Sequence, residues 1–166
     1  MTEPKFPSLA LHVAGKWITQ AGGGERMVVD PSDESVLGVL PLASIDEVKM
    51  AAESAAAGFE IWRRKLAHER YLIIRKAAEL MRERAAEIAR VLTLEQGKPL
   101  SESKREVLLS ADIVDFQAEE GKRLYGRTVP PRIDGMLSQT VSRRPIGPVA
   151  AFTPWNFPAN LPARKL

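Results

Sequence analysis

The stretch Val149–Asn160, VAAFTPWNFPAN, runs a short apolar segment into a turn that holds Trp155 and Asn156 between Pro154 and Pro158. Val149–Phe152 is nearly uninterrupted in its apolar character, the pattern of a strand covered on both faces. Pro148 argues against full pairing at the first residue of such a strand. The two later prolines lock their own φ and restrict Thr153 and Phe157 before them. The following ANLPARKL reads as the opening of a helix. A buried strand, a rigid turn and a helix start form the first half of a βαβ unit, and in open parallel sheets ligands settle beyond the carboxyl ends of strands. The Asn156 amide offers two neutral N–H donors there. Aimed at a carbonyl oxygen that gains negative charge, such a donor lowers a barrier without ionising, and losing a comparable one costs on the order of 10²–10³ in rate. An asparagine in a turn also has a purely structural reading, through local backbone bonds.

Upstream of the turn the sequence is helical in period. SIDE, Ser44 to Glu47, is a capping box. Ile45, Val48, Ala52, Ala55, Phe59 and Trp62 then recur at steps of three and four, which gathers them on one face. A second stretch repeats the pattern with Tyr71, Ile74, Ala78, Met81, Ala85, Ile88 and Leu92, and ends at Gly97 before Pro99. SKRE, Ser103 to Glu106, is expected to cap a third helix that turns Val107, Ala111, Val114 and Ala118 inward and stops at Gly121. These stripes are read as core faces. Beyond Gly121, RLYGRTVPPRIDG is a proline-bearing connector. MLSQTVSRRP alternates like a strand, expected to pair with another sheet or another subunit.

The first forty residues read as small strands with turns. HVAGKWI and RMVVD flank Gly22, Gly23 and Gly24, and DPSDES turns into VLGVL. A phosphate cradle would open directly into a helix, whereas ERMVVD has strand character. The triple glycine is therefore expected to be a flexible hairpin loop.

Composition narrows the function classes. The 166 residues carry 24 Lys and Arg against 21 Asp and Glu, a net charge of +3, with both signs mixed along the helices. That mixing suits a solvated helix face and not a nucleic-acid patch. No cysteine is present, so a disulfide, a thiolate metal site and a thiol nucleophile are all excluded within this chain. His12 and His68 lack nearby ligand partners, and no metal is expected. The start lacks the apolar core of a secretory signal and no run approaches a membrane span. Cytoplasm is the expected location, with neither membrane nor nucleic acid as partner.

GKW at 15–17, the helix containing FEIW, LEQGKPL at 94–100, AEEGKRLYG at 118–126 and PIGPVAAFTPWNFP at 145–158 stand in one order along nearly the whole chain. In that order the sequence resembles the amino-terminal third of the NAD(P)-dependent aldehyde dehydrogenase superfamily, and within it the succinate-semialdehyde dehydrogenase branch. The resemblance implies an α/β fold represented only in its amino-terminal part. Residues 1–123 would be the helical and hairpin part of the cofactor-binding domain. Residues 124–146 would be a connector and strand arm for oligomerisation, and 147–166 the first strand and turn of a Rossmann-like parallel sheet.

The resemblance also implies roles. Asn156 matches the oxyanion-hole donor of the PWNFP turn. Phe152, Thr153, Pro154 and Trp155 match the segment that lies along NAD or NADP. Arg164, eight residues past Asn156, matches an arginine that grips the carboxylate of a semialdehyde, a task suited to a guanidinium fork. Pro162 departs from the family pattern and is expected to disturb the helix register there. In the family a cysteine thiolate attacks the aldehyde, hydride passes to the nicotinamide, and a glutamate-activated water releases the acid. The nucleophile, that glutamate and the glycine-containing cofactor turn have no counterpart here. The chain alone is therefore expected to be inactive, and the complete enzyme to be a homodimer or homotetramer acting on a small aldehyde. The alternative is a non-catalytic helical interaction or oligomerisation module derived from such an enzyme.

Overall fold

A computed structural model describes residues 6–165. Strands β1 (Leu11–Val13) and β2 (Lys16–Ile18) form a tight hairpin. Its turn places Ala14 and Gly15 at φ 52° and 77°, the left-handed pair that matches strand twist. Strands β3 (Glu25–Val29) and β4 (Val36–Pro41) form a second antiparallel hairpin with an irregularity at Val28/Val29. The triple glycine is thus not a hairpin loop but the link between two separate hairpins. Gly23 donates to the Leu42 carbonyl at 2.9 Å, and Leu42 donates to the Gly24 carbonyl at 2.8 Å. A Cβ at Gly23 would stand 2.4 Å from the Ala43 carbonyl oxygen, so backbone approach explains glycine at that position.

Helix α1 (Ile45–Trp62) opens on the expected capping box. Its apolar stripe does not reach a core: α1 has no buried residue, and Ile45 is 74% exposed. No layer of described residues covers that face, which corrects the reading of Ile45, Val48 and Trp62 as packed. The second periodic stretch divides into α2 (Ala67–Glu83) and α3 (Ala85–Gln96), because Arg84 leaves helical geometry at φ −99°, ψ 14°. Good helix formers surround the break, so propensity carries no signal of it. The break lets α3 turn Ala85, Ala89 and Leu92 onto Val107 of α4 (Leu100–Gly121).

The α2–α3–α4 unit is the core. Tyr71, Ala78, Ala85, Leu92, Val107, Ala111 and Ala118 are buried where the periodicity places them. Small side chains allow close helix approach, and Arg82 bridges α2 to Asp112 at 2.8 Å and Asp115 at 2.6 Å on α4. Helix α4 starts four residues earlier than SKRE predicts, with Pro99 and not Ser103 at its N-cap. Ser103 is buried instead of capping, with its hydroxyl 2.8 Å from that of Thr93. Gly97, at φ 86°, closes α3 in the left-handed conformation.

The connector and arm pair with each other, β5 (Arg127–Val129) with β6 (Gln139–Val141), and β6 is exposed along its length. Val149–Phe152 does not form the expected strand. It runs without regular structure, with Val149 75% and Phe152 88% exposed. A strand needs a neighbour, and none among the described residues adjoins it. Helix α5 (Asn160–Ala163) follows the turn. Pro162 is accommodated in this first turn, since Arg164 N–H still reaches the Asn160 carbonyl at 3.2 Å.

Candidate functional site

Beyond the local bond from Leu161 N–H to the Phe157 carbonyl at 3.0 Å, the turn is held from outside. Its anchor is Glu106, a glutamate on the inward face of α4 that is only 5% exposed. Glu106 Oε1 accepts the backbone N–H of Ala159 at 2.9 Å and of Asn160 at 3.2 Å. Oε2 accepts from Lys98 Nζ at 2.5 Å. Lys98 lies in the link between α3 and α4, and its ammonium also donates to the Asn156 carbonyl at 3.1 Å. It stands 4.4 Å from the centroid of the Phe157 ring. A buried carboxylate requires such partners, since an unpaired charge there is costly.

Beside this anchor opens a cleft of about 580 Å³, walled by Lys98, Glu106 and Leu109 on one side and by Phe157, Asn160 and Arg164 on the other. Arg105 and Glu102 stand at the same cleft. Arg164 lines this cleft. Its Nε donates to Asn160 Oδ1 at 2.8 Å, and its terminal nitrogens make no hydrogen bond or ion pair among the described residues. Asn160 is itself buried, with Nδ2 lacking a partner among the described residues. Fixing one edge of the guanidinium leaves its fork available to a carboxylate or sulfonate.

Asn156 adjoins the cleft through Phe157 and does not line it. Its residue is exposed, its carbonyl is held, and its side-chain amide makes no hydrogen bond among the described residues. The amide is therefore not consumed by local backbone. Phe152, Thr153, Pro154 and Trp155 run exposed, and the peptide groups of 149–155 are unbonded among the described residues. Free peptide groups and exposed rings fit a segment that lies along a flat cofactor. Among the described residues no glycine-rich turn opens a helix beside it, so pyrophosphate has no cradle there. No group of His, Asp and Glu among the described residues could hold a metal ion. No helix of the described residues is long and apolar enough to cross a membrane.

Lys98 and Glu106 were not legible as site residues. Glu106 has the spacing of a capping-box glutamate. The available signal was its place on the α4 stripe of Ser103, Val107, Ser110 and Ala111, where a charge is anomalous unless paired.

The aldehyde dehydrogenase family model matches residues 17–166. The chain is 40% identical over 156 residues to 4-(hydroxymethyl)benzenesulfonate dehydrogenase of Comamonas testosteroni, covering 94% of this chain and 33% of that protein. It is 41% identical over 154 residues to the NADP(+) succinate-semialdehyde dehydrogenase GabD of Escherichia coli K12, covering 92% and 32%. The structure is similar to crystalline succinate-semialdehyde dehydrogenase from Burkholderia pseudomallei, with a TM-score of 0.92 at 38% identity over 99% of this chain and 34% of that one. Further similar solved structures are aldehyde dehydrogenase relatives complexed with NADP or NAD. The chain spans about a third of the length of these relatives and matches their amino-terminal part. The helices and small sheets are accordingly a partial α/β fold, and the chain belongs to the aldehyde dehydrogenase family.

Proposed function

We propose that this chain supplies the oxyanion donor and the substrate-anion grip of an enzyme that oxidises an anionic aldehyde, of the succinate-semialdehyde kind, to its acid with NAD or NADP. One observation carries the reading. Arg164 is held at Nε by Asn160 on the wall of a cleft, with its fork unpaired among the described residues, and the turn bearing Asn156 is anchored to that same wall. The names of two relatives agree with it, since 4-(hydroxymethyl)benzenesulfonate and succinate semialdehyde each carry one anionic group away from the carbon that is oxidised.

In this mechanism Asn156 Nδ2–H donates to the aldehyde oxygen as negative charge builds there. Arg164 receives the distal carboxylate and orients the molecule, which converts binding into alignment. Phe152–Trp155 would line the cofactor, which would supply the hydride acceptor. The chain has no cysteine, so a cysteine nucleophile would come from another part of the complete enzyme, and by family resemblance so would the general-base glutamate. Residues 1–166 by themselves are accordingly inactive. The exposed arm, with Leu137 and Val141 open, is assigned to contacts in a cytoplasmic homodimer or homotetramer.

Arg164→Ala in the complete protein tests the substrate class. KM for succinate semialdehyde is expected to rise about 10- to 100-fold, the loss of a charge-assisted hydrogen bond. KM for a neutral aldehyde of equal length is expected to stay within about twofold. Equal rises for both would overturn the assignment to anionic aldehydes.

A further inference from the structure

We infer that Lys98 and Glu106 are positioning residues that set the oxyanion donor, an inference that rests on the role of Asn156 proposed above. Among the described residues, the side-chain hydrogen bonds that hold the turn come from this pair. Pro154 and Pro158 restrict φ, but they leave the Asn156–Phe157 peptide free to rotate as a unit. Lys98 removes that freedom by holding the Asn156 carbonyl at 3.1 Å and lying against the Phe157 ring. Glu106 holds Lys98 on one oxygen and the N–H groups of Ala159 and Asn160 on the other. The two residues before Pro158 and the two after it therefore hang on one ion pair.

The pair is also an odd choice for stability alone. The side chains of Lys98 and Glu106 are only 12% and 4% exposed. Two such charges forfeit hydration, and well-packed apolar residues of similar volume are often as stabilising or more so. What an apolar pair lacks is direction. An ammonium and a carboxylate that share one bond and hold three backbone groups of the turn between them fix both its height and its rotation about the chain. An error of about 1 Å in a reacting group can cost about 100-fold in rate. Two of the three Lys98 ammonium donors go to Glu106 and the Asn156 carbonyl, and the second of these bonds is the route by which Lys98 acts on the Asn156 amide.

The test is a double-mutant cycle in the complete protein, with succinate semialdehyde and saturating NADP. Lys98→Met keeps the apolar stem over Phe157 and removes both directional bonds. It is expected to lower kcat about 10- to 100-fold, with KM for the aldehyde and Kd for NADP within about twofold. In an Asn156→Ala background the same change is expected to alter kcat by less than about twofold, because the donor it positions is gone. Glu106→Gln, which preserves shape and the Oε1 acceptor, is expected to follow the same pattern and serves if Lys98→Met does not fold. An unchanged kcat in Lys98→Met or Glu106→Gln, or an equal loss in both backgrounds, overturns the positioning role alone. An unchanged kcat in Asn156→Ala itself overturns the donor role and this inference with it.

Discussion

Glu47 and Glu106 each pin a distant stretch of chain to a helix, and they do so in opposite surroundings. Glu47 lies at the solvent-exposed start of α1. Its carboxylate accepts the N–H of Gly22 at 3.0 Å and of Ser44 at 2.6 Å, and it is also bonded to the Ser44 hydroxyl. It ties the inter-hairpin link to the helical part. Glu106 accepts two N–H groups as well, but from within the packed face of α4 and with Lys98 as counter-charge. The bonds are alike and the solvent is not. Water competes readily for what Glu47 holds and less readily for what Glu106, only 5% exposed, holds. The buried junction is the one that leads to Asn156 and Arg164, where the proposed chemistry needs fixed geometry.

The contrast can be broken at either end. Its largest expected consequence is at Glu106→Ala, which strands a buried ammonium and two peptide N–H groups. In urea unfolding of the complete protein this variant is expected to lose about 3–5 kcal/mol, the cost of breaking a buried pair from one side. A loss below about 1 kcal/mol would put Glu106 in the same class as an exposed junction.

The smallest effect is expected at Glu47, and it should depend on pH. The Ser44 hydroxyl, then the N–H groups of Ser44 and Gly22, hold the Glu47 carboxyl below the usual glutamate range. A folded-state pKa that is depressed contributes stability above the unfolded value, and that contribution disappears as pH falls through the folded value. The stability gap between the wild type and Glu47→Gln is therefore expected to be constant near neutrality. It should shrink on the acid side of the carboxylate range, measured by thermal unfolding across pH. A gap that widened toward acid would contradict the bonding described for Glu47.

Much of the helical core was legible because its signals are local. The stripe from Tyr71 to Leu92 and the run from Val107 to Ala118 put apolar residues at helical spacing, and the structure buries most of them. The Ser44–Glu47 box is likewise a four-residue signal and forms as read. What periodicity could not supply was the identity of the covering layer. The α1 stripe has the same spacing as the others and remains exposed, because burial is a property of two surfaces and only one is encoded locally. Val149–Phe152 fails as a strand for a related reason, since a ladder requires a partner. At the site, Arg164 and the proline-braced turn were legible from local chemistry and family resemblance. Lys98 and Glu106 were not, because their partners lie 58 and 53 residues away along the chain.

The central claim is that the Asn156 amide, braced by prolines and by the Lys98–Glu106 pair, stabilises the charge that forms on an aldehyde oxygen. Turnover of the complete protein with Asn156→Ala, at saturating succinate semialdehyde and NADP, tests it most directly. A fall in kcat on the order of 10²–10³ is expected, with NADP affinity unchanged. A kcat equal to that of the wild type would contradict it.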